Sequence, residues 1–121
     1  MFRRAKNMTE VQIDEAALES MQSLLGEQFK DTLEFCCSEF ERLGNEVIAT
    51  IGNDKEAAIR HAHSLKSNAA QFGATSLSNV ARDIELNLNQ DNLAQAVTAS
   101  TDLLAQVSGS QAQLRAWVES N

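Results

Sequence analysis

His63 and Lys66 are the two residues whose types and spacing suit a reaction. A helix advances by roughly 100° per residue, so positions three apart lie about 60° from each other on its surface. An imidazole nitrogen is a nucleophile at neutral pH and can hold a phosphoryl group as a phosphoramidate. An ammonium one turn away supplies a point charge for the phosphoryl oxygens. Ser67 and Ala70, on the same face, are small enough to let another protein's active site close over the ring. Ile59 lies one turn before His63 among polar or small neighbours and is a candidate docking residue. Alone, a surface His three residues before a Lys is ordinarily incidental, so the surrounding elements decide its weight.

The periodicity predicts five helices and no strands. The first runs from about Asp14, a plausible N-cap, to Leu25, with Gly26 as its stop and Ala17, Leu18, Met21, Leu24 and Leu25 apolar. The second covers about 27–51, with Phe29, Leu33, Cys36, Phe40, Leu43 and Val47 recurring in steps of four and three, the stripe of a long bundle helix. The third covers about 54–72. Asn53 followed by Glu56 reads as its capping box, Gly73 as its stop, and Ala58, Ala62, Leu65, Ala69 and Phe72 as its core stripe. The fourth covers about 76–89 on Leu77, Val80, Ala81, Ile84 and Leu88. The fifth covers about 91–118 on Leu93, Val97, Ser100, Leu104, Val107, Gln111, Leu114 and Val118, with Gly109 weakening its middle. Short connections make sequential helices antiparallel neighbours. The expected fold is all-α: an antiparallel up-down-up-down four-helix bundle with an extra N-terminal helix closing one end, a single domain over 1–121 with a flexible N-terminus at 1–12.

Measured from the third stripe's centre, His63 sits roughly 140° away on the water side and Lys66 about 80° away on the same flank. His61 falls about 60° to the other side as a half-buried residue at the core edge, so the two histidines diverge by about 200° and cannot hold one metal ion through this helix. Bundle metal sites use inward-facing Glu-x-x-His pairs. Ala58 and Arg60 occupy the positions three before His61 and His63, so a metal-binding bundle is disfavoured and no metal ligands are assigned.

The formal net charge of -7 and the pI near 4.7 speak against nucleic acid and anionic membranes as partners. The one basic cluster, Arg3, Arg4 and Lys6, reads as a solvated, frayed end, and Met8 as an alternative start. No run of about 18 apolar residues spans a membrane, and no apolar stretch follows Met1-Phe2-Arg3-Arg4 to make a signal peptide. Cys36 and Cys37 are adjacent, which gives neither a disulfide framework nor metal spacing and fits a reduced, cytoplasmic protein. There is no glycine-rich loop or P-loop for ATP.

The run His63-Ser64-Leu65-Lys66-Ser67-Asn68-Ala69-Ala70-Gln71-Phe72-Gly73-Ala74-Thr75-Ser76-Leu77 resembles the signature of histidine-containing phosphotransfer (HPt) domains. Those show His, any residue, an aliphatic, Lys and small residues, then a hydrophobic-Gly break and a Leu. The similarity is greatest to the quorum-sensing phosphorelay proteins of the LuxU type. There too Ser follows the Lys, the break is Phe-Gly-Ala, and a Trp lies near the end, as Trp117 does here.

The resemblance implies a monomeric helical bundle without ATP-dependent kinase activity. It implies His63 as phosphoacceptor and Lys66 as the phosphate-stabilising cation. It also implies two receiver-domain partners, one in a hybrid sensor histidine kinase and one in a response regulator, and no cofactor of its own, since the receiver supplies Mg²⁺. Two departures stand out. Most of the family has Gly where this chain has Ser67, and many members have Gln near the position of Glu85, where an acid lowers the cation character around the site; Glu85 is kept as a candidate binding residue beside His63. Phe35, off the core stripe of the second helix, either joins Thr32 and Glu39 in a docking patch near His63 or widens the core stripe. The alternative function is a helical adaptor that binds partners without chemistry.

Overall fold

The computed structural model describes residues 10–121. The reading of residues 1–9 as a frayed basic end, with Met8 as an alternative start, lies outside the described residues. The chain forms α1 (Glu15–Leu25), a 3-10 turn (Gly26–Gln28), α2 (Phe29–Thr50), α3 (Lys55–Gln71), α4 (Thr75–Asn89), α5 (Leu93–Ser100) and α6 (Leu103–Ser120). There are no strands among the described residues, and no described helix is long and apolar enough to cross a membrane.

The side chains that couple neighbouring helices meet in opposite chain order. Between α3 and α4, Glu85 pairs with both His63 and Lys66 and the Ser78 hydroxyl donates to the Lys66 carbonyl, while Lys55 at the start of α3 pairs with Asp91 in the turn just past α4. Between α2 and α3, Cys36 lies beside the Asn68 carbonyl and Glu46 beside His61. Between α2 and α6, the Gln111 amide donates to the Cys37 carbonyl at 2.8 Å, and Arg115 grips Glu34. The apolar stripes of α2, α3 and α4 turn inward as their periodicity requires: Phe40, Leu33, Val47, Leu65, Leu77, Ile84 and Leu88 are all sealed from water. Each such side chain contributes roughly 1.5–3 kcal/mol on leaving water.

The thiols belong to this core. Burial pushes Cys36 up to about 12, helped by Cys37 and Glu39. Burial also pushes Cys37 up to about 11, against the lowering effect of Arg115. Both thiols therefore stay protonated and are expected to react with a thiol reagent such as DTNB at least about a hundredfold more slowly than in denaturant. A stopped-flow comparison of native and unfolded protein measures this.

Several expected details come out differently. Asp54, not Asn53, caps α3: its carboxylate accepts from the Ala57 amide, while the Asn53 amide turns back to the Ala49 carbonyl. The expected single helix over 91–118 is two, interrupted at Thr101 and Asp102. Asp91 takes a left-handed φ of 60° in the turn before α5, so helix begins only at Leu93. The interruption resets the helical phase. Leu93, Val97 and Leu104 end up exposed, whereas Ala96, Leu103, Gln106 and Trp117 face inward. Gly109 neither bends nor frays α6; a Cβ there would stand 2.4 Å from Val11 Cγ2, so it lets the N-terminal segment lie against the helix. In α1, Leu24 is exposed and Leu18 alone is fully buried.

Residues 10–12, expected to be flexible, are pinned. The Gln106 amide donates to the Glu10 carbonyl, Gln113 to the Val11 carbonyl, and the Gln12 amide to the Ser76 hydroxyl. The Asp14 amide continues the strap by donating to the Gly73 carbonyl at 2.7 Å. The Asp14 carboxylate then caps α1 through the Ala16 and Ala17 amides. Gln106 is almost wholly buried, yet its oxygen also accepts from Ser76. A buried amide satisfied at both ends is a strong anchor for otherwise unstructured chain.

Candidate functional site

His63 stands in the middle of α3 because Ala62 and Leu65 occupy the inward positions on either side of it. Its side chain is 60% exposed. The next helix supplies its partner. Leu77, Ala81, Ile84 and Leu88 anchor α4 to the core, and Glu85, one position off that stripe, falls on the flank facing α3. One Glu85 oxygen lies 2.9 Å from His63 Nδ1. The other accepts from Lys66 Nζ at 2.7 Å. A single carboxylate thus bridges the imidazole and the ammonium across the α3–α4 seam, and its own side chain is only 16% exposed.

Burial acts to raise the Glu85 carboxyl, but the hydrogen bonds and charges of Lys66 and His63 together outweigh it and hold the group below the usual carboxylate range. A carboxyl lowered by folding contributes its stabilisation above the ordinary range and loses it only as pH falls through the lowered value. The bridge is therefore expected to persist through neutral and mildly acidic pH and to open in stronger acid. A carboxyl ¹³C titration of Glu85 by NMR reports that midpoint.

Ser67 and Ala70 are exposed and Ile59 is half-buried, packed at the core edge, so Ile59 offers a partner less surface than its polar neighbours suggest. Phe35 is 67% exposed and does not widen the core stripe. It lines a groove of about 240 Å³ with Met21, Cys36, Asn68 and Phe72, on the α1–α2–α3 side rather than on the seam that holds Glu85. His61 lies half-buried, its Nε2 3.8 Å from Glu46 on α2. The two imidazoles thus look toward different helices. No group of three or more His, Cys, Asp or Glu side chains with metal-binding geometry occurs among the described residues.

Sequence reasoning gave Glu85 little weight and missed Ser78, whose hydroxyl donates to the Lys66 carbonyl at 3.0 Å. The signal for Glu85 was its place beside Ile84 on the stripe of the adjacent helix, which became readable only with the register between the two helices.

The sequence model of the Hpt domain family matches residues 15–119. The chain belongs to the Hpt domain family. Solved structures of Hpt proteins share its fold. HptB, a histidine-containing phosphotransfer protein of Pseudomonas aeruginosa PAO1, is 17% identical and superposes with a TM-score of 0.83, covering 90% of this chain and 96% of its own. A protein from rice described as a putative histidine-containing phosphotransfer protein is 14% identical with a TM-score of 0.76, covering 88% of this chain and 81% of its own. The maize histidine-containing phosphotransfer protein ZmHP2 is 18% identical with a TM-score of 0.66, covering 88% and 86%. No curated protein sequence gives a significant match. The strap at residues 10–14 precedes the segment that this Hpt domain shares with its family.

Proposed function

We propose that this Hpt protein is a phosphoryl carrier of a bacterial multistep phosphorelay, with His63 as the phosphoacceptor and Lys66 as the cation that balances the incoming charge. One partner is the receiver domain of a hybrid sensor histidine kinase and the other is a response regulator. The observation that carries this reading is the His63 ring, mostly open to solvent and held at its inner nitrogen by Glu85 while Lys66 stands one turn away. Ser67 and Ala70 border the ring without overhanging it, and the groove beside Phe35 gives a receiver an apolar surface to rest on. The scaffold in this reading is an up-down-up-down bundle of α2, α3, α4 and the α5–α6 pair, with α1 closing one end. The opposite chain order of the inter-helix contacts supports it.

The residues around His63 do not suit a divalent cation of their own, because Glu85, the carboxylate in contact with the ring, is already committed to Lys66. Mg²⁺ therefore belongs to the receiver in this reading. We assign the protein to the cytoplasm as a monomer, and to the quorum-sensing branch on Ser67, Phe72-Gly73-Ala74 and Trp117. A hybrid sensor kinase or response regulator encoded beside this chain would supply the partners to test.

The test is transfer from a receiver carrying a radiolabelled aspartyl phosphate. The expected product is label on this chain that is stable in base and labile in acid, as a phosphoramidate is. Label that survives acid, or no label from any cognate receiver, leaves the adaptor reading in its place.

A further inference from the structure

Phosphoryl uptake changes the charge around His63, and most cations of this chain are already committed. The group passes from a receiver aspartate as the N–P bond forms and the O–P bond breaks, the bonding electrons leaving on the receiver's carboxylate. It brings roughly two negative charges to a chain whose formal net charge is -7. Lys66 meets part of that charge. Its Nζ stands 2.7 Å from one Glu85 oxygen, however, so the pair presents almost no net charge of its own. Among the described residues, Arg42, Lys55 and Arg115 also pair with carboxylates, whereas Lys30, Arg60 and Arg82 do not.

Two of those three cations are placed for other work. Arg82 donates to Asn79 at 2.9 Å within its own helix. Lys30 lies on the α2–α6 side, beside Glu34 and Arg115. Arg60 is exposed on α3 and has no such tie; Glu56, one turn earlier, forms no ion pair with it. Arg60 stands three positions before His63, as Lys66 stands three after, so the two cations flank the imidazole about 60° to either side. A helical side chain leans back over the turn N-terminal to it, and for His63 that turn carries Ile59 and Arg60.

We infer that Arg60 is a second phosphoryl-binding residue, whose guanidinium closes over the phosphorylated ring from the flank opposite Lys66. Its planar fork gives two parallel N–H donors to phosphoryl oxygens, which an ammonium cannot do. Its charge is not shared with a carboxylate, so all of it is available when the group arrives. The consequence is thermodynamic: the grip shifts the balance of phosphoryl group between a receiver and this chain toward this chain.

The equilibrium arm of the test rests on the carrier reading, and the spectroscopic arm does not. The full chain is compared with Arg60→Ala, Arg60→Lys and, as a control for net charge, Lys30→Ala. In the first arm each is loaded from phosphoramidate, a small donor that needs no partner protein, and the phosphoryl group is titrated by ³¹P NMR. A guanidinium at the group favours its doubly ionised form, so Arg60→Ala is expected to raise the midpoint by about half a pH unit. Arg60→Lys raises it less, and Lys30→Ala leaves it in place. Lys66 and Glu85, which also face the group, are common to all four proteins. In the second arm label is equilibrated with one receiver, and the ratio of labelled chain to labelled receiver falls about fivefold in Arg60→Ala. Loss of a docking contact alone would change transfer rates but not this ratio, and circular dichroism separates both effects from unfolding. A parent-like midpoint or ratio in Arg60→Ala, or an equal change in Lys30→Ala, overturns the inference. The expected midpoints together with no uptake from any cognate receiver overturn the carrier reading and leave the grip of Arg60 standing. A parent that takes no phosphoryl group from either donor overturns both.

Discussion

Replacing His63 by Gln is expected to abolish phosphoryl uptake from every receiver, down to the background of the assay, while the helical content stays that of the parent. The amide has no nucleophilic nitrogen lone pair, so nothing remains to form the N–P bond. The fold is expected to tolerate the change because 60% of the side chain is in water and the inward positions around it belong to Ala62 and Leu65. Removal of Lys66, by contrast, leaves the nucleophile in place. Lys66→Ala is expected to accept label at a rate reduced by on the order of tenfold, since it removes a stabilising charge and not a reacting atom. Label on His63→Gln at the level of the parent would remove His63 from the reaction.

The largest expected loss of stability follows from Gly73→Ala, which should cost about 3 kcal/mol and lower the melting temperature by about 10 °C. Two effects add. Gly73 has φ +77°, a conformation that a side chain disfavours, and a Cβ there would stand 2.6 Å from the Asp14 carbonyl oxygen. That oxygen is backbone and itself accepts from the Leu18 amide, so moving it disturbs that bond and the adjacent one from the Asp14 amide to the Gly73 carbonyl. Two other glycines serve as controls. Gly26 has φ +58° with ψ −125°, a region that side chains avoid, but nothing lies within 4 Å of its Cβ position, so Gly26→Ala measures a purely conformational cost of about 1–3 kcal/mol. Gly52 also has open space, and no positive φ is involved, so its replacement should be close to neutral. Thermal melts of the three variants test this; a Gly73 variant as stable as the Gly52 variant would show that neither the backbone of the turn nor the strap resists a side chain there.

How far these features can be read without coordinates depends on the range of the forces behind them. The stripes of α2, α3 and α4 are local periodicities, and Phe40, Leu65 and Ile84 lie where a 3.6-residue repeat puts them. The exposure of His63 follows from the same arithmetic. The interruption at Thr101 and Asp102 was harder to see, because the apolar residues on both sides also fit one continuous stripe, and only the phase of the core below decides between them. Asn53 and Asp54 are both competent caps, and geometry rather than residue type selected the aspartate. The strap was illegible for a related reason. Val11 is the counterpart of Gly109, and Glu10 that of Gln106, over separations of nearly a hundred residues, and no short-range pattern announces such pairs. Glu85 lies between these extremes: its helix was readable, its partner was not.

His63, the proposed nucleophile, and the Glu85 carboxylate beside it belong to different helices, α3 and α4, and come together only when the two are seated in register. A copy of the chain still on the ribosome, or one partly melted, keeps its histidine but lacks the charge opposite it. Immature and damaged copies would therefore be poor sinks for the signal, and the flow of information would be confined to molecules that have finished folding.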